Sequence, residues 1–445
     1  MGSGGQKAVC SGCGLEYSVE RLREKVSEQN KIGGATLNIE VERPTPETLE
    51  ELLLLGKKYL KICDWENAIR VYEKILDKSP ADEEAFDIIN KLKVWKHMVV
   101  ERGVLKKYSG TATEVILPDA VVSIGSRVFS GSRGVETIVF TPNVENIERE
   151  AFYQSRRLKS VVGLDGVKMI GKRAFFECES LEKCELGNNV EYIDDEAFRG
   201  CSSLKTIKLP SNLKQLERAV FKGCINLTEI TIPEKITYIS GSLFELCRNL
   251  AVVNLPDGIK RIETNAFYGC TSLKELKLPS EIEELQSACF KETGLASIEI
   301  PAKISEIPIQ CFDRCSNLTS IRIPSNVEKI GDKAFYCCVG LVSVSLNVKT
   351  EIGRQVFFNC RKLMYVNPPV ESDATSVALV DLTKPVPVAC VVLPEALFMA
   401  FKNTPYYNSE ILRRRSNKLC DRCAGKLGFF GKCKVCGFKL KKENR

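Results

Sequence analysis

Residues 204–224 read Leu204-Lys-Thr-Ile207-Lys-Leu209-Pro210-Ser-Asn-Leu213-Lys-Gln-Leu216-Glu-Arg-Ala219-Val220-Phe221-Lys-Gly223-Cys224. The skeleton, L-x2-I-x-[LI]-P-x2-[VI]-x2-I-x3-A-F-x-G-C, recurs along most of the chain. Its beat is a phenylalanine. Phe129, Phe152, Phe175, Phe198, Phe221, Phe244, Phe267 and Phe290 are each 23 residues apart, and Phe312, Phe335 and Phe357 follow at steps of 22, 23 and 22. A fixed period in the range of about 20–50 residues marks a solenoid, whose coils share one core with their neighbours.

Within each unit the first apolar pair alternates with polar residues, which is strand periodicity. Such pairs are Ile207/Leu209, Ile230/Ile232, Val253/Leu255, Leu276/Leu278, Ile298/Ile300 and Ile321/Ile323. Proline follows at 210, 233, 256, 279, 301 and 324, where it stops a strand because it cannot donate to a ladder. An isolated apolar residue, such as Ile193, Leu216 or Ile239, predicts a second short strand. The A-F-x-G-C segment predicts the corner that returns the chain. Stacking places Phe on Phe. It also places Cys178, Cys201, Cys224, Cys247, Cys270, Cys315, Cys338 and Cys360 in one row. Ser132, Ser155 and Thr293 replace cysteine in three coils, which suits packing and not metal ligation.

The repeat resembles the BspA-type leucine-rich repeat over about 260 residues and eleven Phe-marked corners. That resemblance implies a curved, right-handed solenoid with a parallel sheet along one face, and a role in interaction or at a cell surface. The alternate strand positions Thr206/Lys208, Glu229/Thr231, Val252/Asn254, Glu275/Lys277, Ser297/Glu299, Ser320/Arg322 and Ser343/Ser345 then line the exposed sheet. Thr206, Lys208, Glu229, Thr231, Glu275, Lys277, Glu299 and Arg322 are the candidate partner-binding residues. They form a mixed polar surface with no aromatic strip and no single sign of charge.

The flanks differ from the repeat. Leu55-Gly56, Tyr59, Ala68, Tyr72 and Pro80 sit at the offsets of a tetratricopeptide repeat, which this stretch resembles over about 34 residues. Residues 85–100, with Phe86, Ile89, Leu92 and Trp95, predict a third, closing helix containing His97. A lone repeat makes a small groove, so the unit reads as a cap on the solenoid more readily than as a peptide-binding site. Near the start, Cys10 and Cys13 form a CxxC knuckle: half of a zinc site, or two free thiols. Near the end, Cys420, Cys423, Cys433 and Cys436 form two CxxC knuckles nine residues apart. Four thiolates complete a tetrahedral zinc site and leave no open position, so this zinc is expected to be structural. The segment resembles a compact zinc ribbon.

Charge separates the same regions. The chain of 445 residues carries +7, whereas residues 411–445 alone hold twelve Lys/Arg against Asp421 and Glu443, a local +10 that leaves −3 elsewhere. Arg422, Lys426, Lys432 and Lys434 are therefore the candidate nucleic-acid contacts, because phosphate neutralisation needs placed positive charge. The competing reading is a solvated basic module used for protein contact. The one histidine in the chain, His97, removes Ser-His-Asp and Cys-His catalysis. No run of 18 apolar residues predicts a membrane span, and no secretory leader is evident. Twenty cysteines then read as reduced thiols and metal ligands in the cytoplasm.

The sequence thus predicts a leucine-rich repeat solenoid, mostly β with a parallel sheet, an N-terminal α-helical cap and a small C-terminal zinc ribbon. The divisions are a CxxC knuckle and linker (1–47), a helical unit (48–102), the solenoid (103–370), a C-terminal cap (371–410) and a basic ribbon (411–445). The function expected is non-catalytic: a scaffold presenting its sheet to a protein partner. The alternatives are nucleic-acid docking through the ribbon and an adhesin-like role at the cell surface.

Overall fold

The computed structural model describes residues 7–9, 16–18, 48–345, 350–363 and 365–367. Cys10, Cys13, the cap at 371–410, and all of 411–445 with its cysteines and basic candidates lie outside the described residues. Lys7–Val9 and Glu16–Ser18 pair as a two-stranded antiparallel ribbon.

Three helices follow: α1 (Leu49–Lys61), α2 (Trp65–Lys78) and α3 (Glu83–Trp95). Asp64 and Asp82 cap the second and third by accepting from the N–H groups of Asn67 and Ala85. A Cβ at Gly56 would come within 2.8 Å of the Tyr72 ring, so glycine is what lets α1 approach α2. Two tryptophans tie the helices to the hairpin and the first coil that follow. The Trp65 indole N–H donates to the Met98 carbonyl at 3.0 Å, and that of Trp95 donates to the Ile116 carbonyl at 2.7 Å.

The third helix is shorter than the sequence predicts. It stops at Trp95, and Met98–Glu101 is a strand paired antiparallel with Val104–Tyr108. The reason is local: Val99 and Val100 are β-branched, and Arg102 and Gly103 hold left-handed φ values of 50° and 80° that close a hairpin. His97 therefore sits in an exposed turn and not in a helix. Phe86 is 61% exposed, so it faces away from the helical core.

Beyond the hairpin the chain makes eleven Phe-marked coils, and the strands run in two rows. In the first row Glu114–Ile116, Thr137–Val139, Ser160–Leu164 and Lys183–Leu186 pair in parallel. Glu229–Thr231 pairs with Val252–Asn254, and Ser320–Arg322, Ser343–Ser345 and Tyr365–Asn367 form a third group. The second row is made of two-residue strands from Ser123–Ile124 to Glu351–Ile352, also parallel. Between the rows, each proline carbonyl accepts the N–H three residues on, as in Leu213 to Pro210 at 3.1 Å, which turns the chain.

The corner is the third side of the coil. The residue two before each corner Phe, from Arg127 to Gln355, has a positive φ in all eleven coils. The residue two after it does as well; it is glycine at 131, 200, 223 and 269 but Gln154, Glu177, Leu246, Glu292, Arg314, Cys337 or Asn359 elsewhere. These left-handed residues turn alternate N–H groups along the stack. Glu150, Phe152 and Gln154 donate to the carbonyls of Lys172, Ala174 and Phe176 in the next coil at 2.7–2.9 Å. The phenylalanines are buried, and successive rings stack with centroids from 5.0 Å (Phe129–Phe152) to 6.0 Å (Phe221–Phe244).

Candidate interaction face

The first-strand row presents its alternate residues outward because the intervening ones fill the core. Ile207, Ile230, Leu276, Ile298 and Ile321 are buried, and Thr206, Lys208, Glu229, Thr231, Glu275, Lys277, Glu299 and Arg322 between them are exposed. Parallel register aligns them into two columns. Glu229 lies beside Val252 and Thr231 beside Asn254, whose side-chain amide donates to the Thr231 hydroxyl at 3.0 Å. Isolated bridges continue the alignment from Thr206 to Glu229 and from Glu299 to Arg322. At about 4.8 Å per step, the six coils these residues span extend roughly 25 Å.

Inter-coil ion pairs are frequent on the other two sides, although Arg218, Lys260, Glu283 and Glu328 beside the second row are absent from the described ion pairs as well. Among these pairs are Glu145–Lys168 at 3.0 Å, Glu191–Lys214 at 2.7 Å, Lys172–Asp195 at 2.9 Å and Glu306–Lys329 at 2.9 Å. In two corner pairs the carboxylate is buried, Lys222–Glu245 at 2.7 Å and Lys291–Asp313 at 3.0 Å. Even the first-strand row is paired in its early coils, where Glu136 accepts from both Arg157 and Lys159. The Lys159 hydrogen bond leads in holding its carboxyl below the usual range. By contrast, the described ion pairs and side-chain hydrogen bonds include none of Lys208, Glu229, Glu275, Lys277, Glu299 and Arg322. A shallow cavity of about 260 Å³ beside Gly131, Arg133, Arg156 and Arg157 is less open to a ligand, because Glu136, Glu177 and Glu179 already hold the last two arginines.

The cysteine row has an interior role. The thiols of Cys178, Cys201, Cys224, Cys247, Cys270, Cys315, Cys338 and Cys360 each donate to the corner-Phe carbonyl of the preceding coil at 3.0–3.2 Å. Ser155 makes the same bond with its hydroxyl, to Phe129. Burial pushes the Cys224 thiol up to about 12, so it stays protonated and can donate. Sequence reasoning treated these residues as small apolar groups; the serine substitution was the available sign of a donor. Among the described residues no cluster of three or more His, Cys, Asp or Glu could hold a metal ion.

Comparison with known proteins agrees with this geometry. Residues 107–186 and 239–364 match the profile of the BspA type leucine rich repeat region in six copies. The coils in these two stretches are similar to BspA-type leucine-rich repeats. A solved leucine-rich repeat protein from Bacteroides ovatus is 27% identical to the chain, with a TM-score of 0.52 over 59% of this chain and 76% of that one. A leucine rich cell surface protein from Faecalibacterium prausnitzii is 22% identical, covering 61% of this chain and 92% of its own, with a TM-score of 0.34. No curated protein matches the chain. The matched stretches hold nine of the eleven corner phenylalanines. Among the described residues no helix is long and apolar enough to cross a membrane.

Proposed function

We propose that this chain is a non-catalytic scaffold that binds a protein partner along the first-strand face of its fifth to tenth coils. The observation that carries this reading is the set of six exposed charged side chains, of both signs, held in register along one strand face without ion-pair partners. An exposed charge held on a rigid strand keeps its position without an internal partner and is ready to meet one from outside. The partner's surface would carry acidic groups opposite Lys208, Lys277 and Arg322 and basic groups opposite Glu229, Glu275 and Glu299. The test is capture of partners from the native lysate by the full chain, compared with the variant Lys208→Glu, Lys277→Glu, Arg322→Glu. The variant should lose the wild-type partner while keeping its melting temperature; a partner retained at the same yield would move the site elsewhere.

The C-terminal cysteines extend this reading. Cys420, Cys423, Cys433 and Cys436 supply four soft donors, a set that suits structural zinc, and Cys10 with Cys13 supplies a further pair. Zinc would hold the two knuckles together in a segment too short to build a core of its own. The +10 of residues 411–445 supports a second function there, contact with nucleic acid through Arg422, Lys426, Lys432 and Lys434. Retention on DNA or RNA that falls with salt and with Lys432→Ala and Lys434→Ala would support it, and no retention at low salt would refute it. A cytoplasmic location follows from reading the thiols as reduced. Protease shaving of intact cells distinguishes it from display at the surface.

A further inference from the structure

Cys289 and Cys311 stand outside the regular thiol row. Each immediately precedes a corner phenylalanine, where Ala151, Ala174, Ala197, Ala266 and Ala334 stand in other coils. Both are fully buried, and their sulfurs face each other at 3.6 Å. The Phe290 N–H donates to the Cys311 carbonyl at 3.0 Å, so the two backbones are adjacent rungs. Adjacent rungs are about 4.8 Å apart, within the Cα separation of about 4.4–6.8 Å that a disulfide bridges. Among the described cysteines, no other pair has its thiols within hydrogen-bonding contact.

The pair also occupies a joint of the solenoid that is held at the corner but lacks strand pairing. Between the eighth and ninth coils neither row of strands is paired: the second row breaks between Glu284–Leu285 and Glu306–Ile307, and the first has no strand between Val252–Asn254 and Ser320–Arg322. The break in the second row has a clear cause. At the equivalent positions Gln286 and Gly331 donate N–H groups to Ile262 and Ile307 at 2.9 and 2.8 Å, but the ninth coil has Pro308, which has none.

We propose that Cys289 and Cys311 are a modification site, closing to an intrachain disulfide that staples the eighth coil to the ninth when the chain meets a disulfide oxidant such as glutathione disulfide. One thiol loses its proton and attacks the oxidant, breaking its S–S bond and releasing one reduced thiol. The second cysteine, also deprotonated, attacks the resulting mixed disulfide and releases the other. Two protons and two electrons leave the protein, and the oxidant's sulfurs are reduced to two thiols. Burial raises the Cys311 thiol far above its ordinary pKa, so exchange proceeds during folding or through opening at this joint. In a reducing compartment the pair stays a dithiol.

The test refolds the full chain in oxidised and in reduced glutathione buffers, alkylates free thiols and digests with trypsin. Cleavage after Lys277, Lys291, Lys303 and Arg314 puts Cys289 in peptide 278–291 and Cys311 in peptide 304–314, each with no other cysteine. The oxidised sample should yield these two peptides joined, and dithiothreitol should separate them. Cys289→Ala should fold, since alanine occupies that position in other coils. The wild type should melt higher after oxidation, and Cys289→Ala should abolish that rise. Recovery of both peptides alkylated after oxidative refolding, or joined to other cysteines instead of each other, would overturn the assignment.

Discussion

A single side chain does different work on each side of the coil. Phe221 stacks between Phe198 and Phe244 with centroids 5.9 and 6.0 Å away, so its removal leaves a cavity shared by three coils. Phe221→Ala should cost about 3–5 kcal/mol, measured by chemical denaturation. The corner glycines answer a backbone requirement instead. Gly223 has a φ of 75°, and a Cβ there would meet nothing closer than 3.9 Å, so Gly223→Ala should cost about 1 kcal/mol from conformation alone. Gly269→Ala should cost more, because its Cβ would come within 2.9 Å of Leu246. The Phe beat was legible because it recurs once per coil and is always buried. The left-handed positions were not, since Glu177, Gln154 and Arg314 carry no sign of the conformation that the stack imposes on them.

Between elements, the charges follow the coil spacing. Lys172 and Asp195, Arg173 and Glu196, and Lys222 and Glu245 are all pairs 23 residues apart, a signal that the sequence contained and that a search at the repeat period would have found. Lys291 and Asp313, 22 apart, are the most consequential because the Asp313 side chain is only 3% exposed. Lys291→Met should destabilise the solenoid by about 3–5 kcal/mol by leaving that carboxylate without its cation, and Asp313→Asn added to it should recover much of the loss. Glu217 shows the opposite case. Burial and then the nearby Asp195, Asp194 and Glu263 raise its pKa, so its ionisation opposes folding. The stability it contributes is greatest below the ordinary glutamate value of 4.5 and is lost as pH rises through the raised one. Glu217→Gln should therefore raise the melting temperature at pH 7, with the gain vanishing in acid. The helix that ended early belongs to this scale too. Trp95 through Val100 continues a plausible helical period, and the competing signal was the Arg102-Gly103 turn, which lets Met98–Glu101 fold back as a strand.

For the molecule as a whole, the first-strand face of the later coils is one place among the described residues where exposed charges lie in register without ion-pair partners. Inter-coil ion pairs occupy the corner and the second strand row, while the first-strand face of coils five to ten keeps six charges unpaired. That face was legible in outline because strand alternation predicts which residues point outward. The absence of ion pairs on it was not, because pairing depends on side-chain reach between coils. The zinc expectation is tested on the whole chain by metal analysis after anaerobic purification. About one zinc per chain is expected from the four C-terminal cysteines, falling with Cys433→Ser, and Cys10→Ser should lower the count further if the N-terminal pair also binds.

The hydrogen bonds at the corners and strand rows run from coil to coil along the stack. A load applied to the two ends of the solenoid therefore opens them a few at a time, by peeling, and does not shear many at once. Each peeled coil releases 22 or 23 residues, or roughly 80 Å of extended chain. Under tension the solenoid should lengthen in small, even steps at low force and behave as a spool rather than a rod.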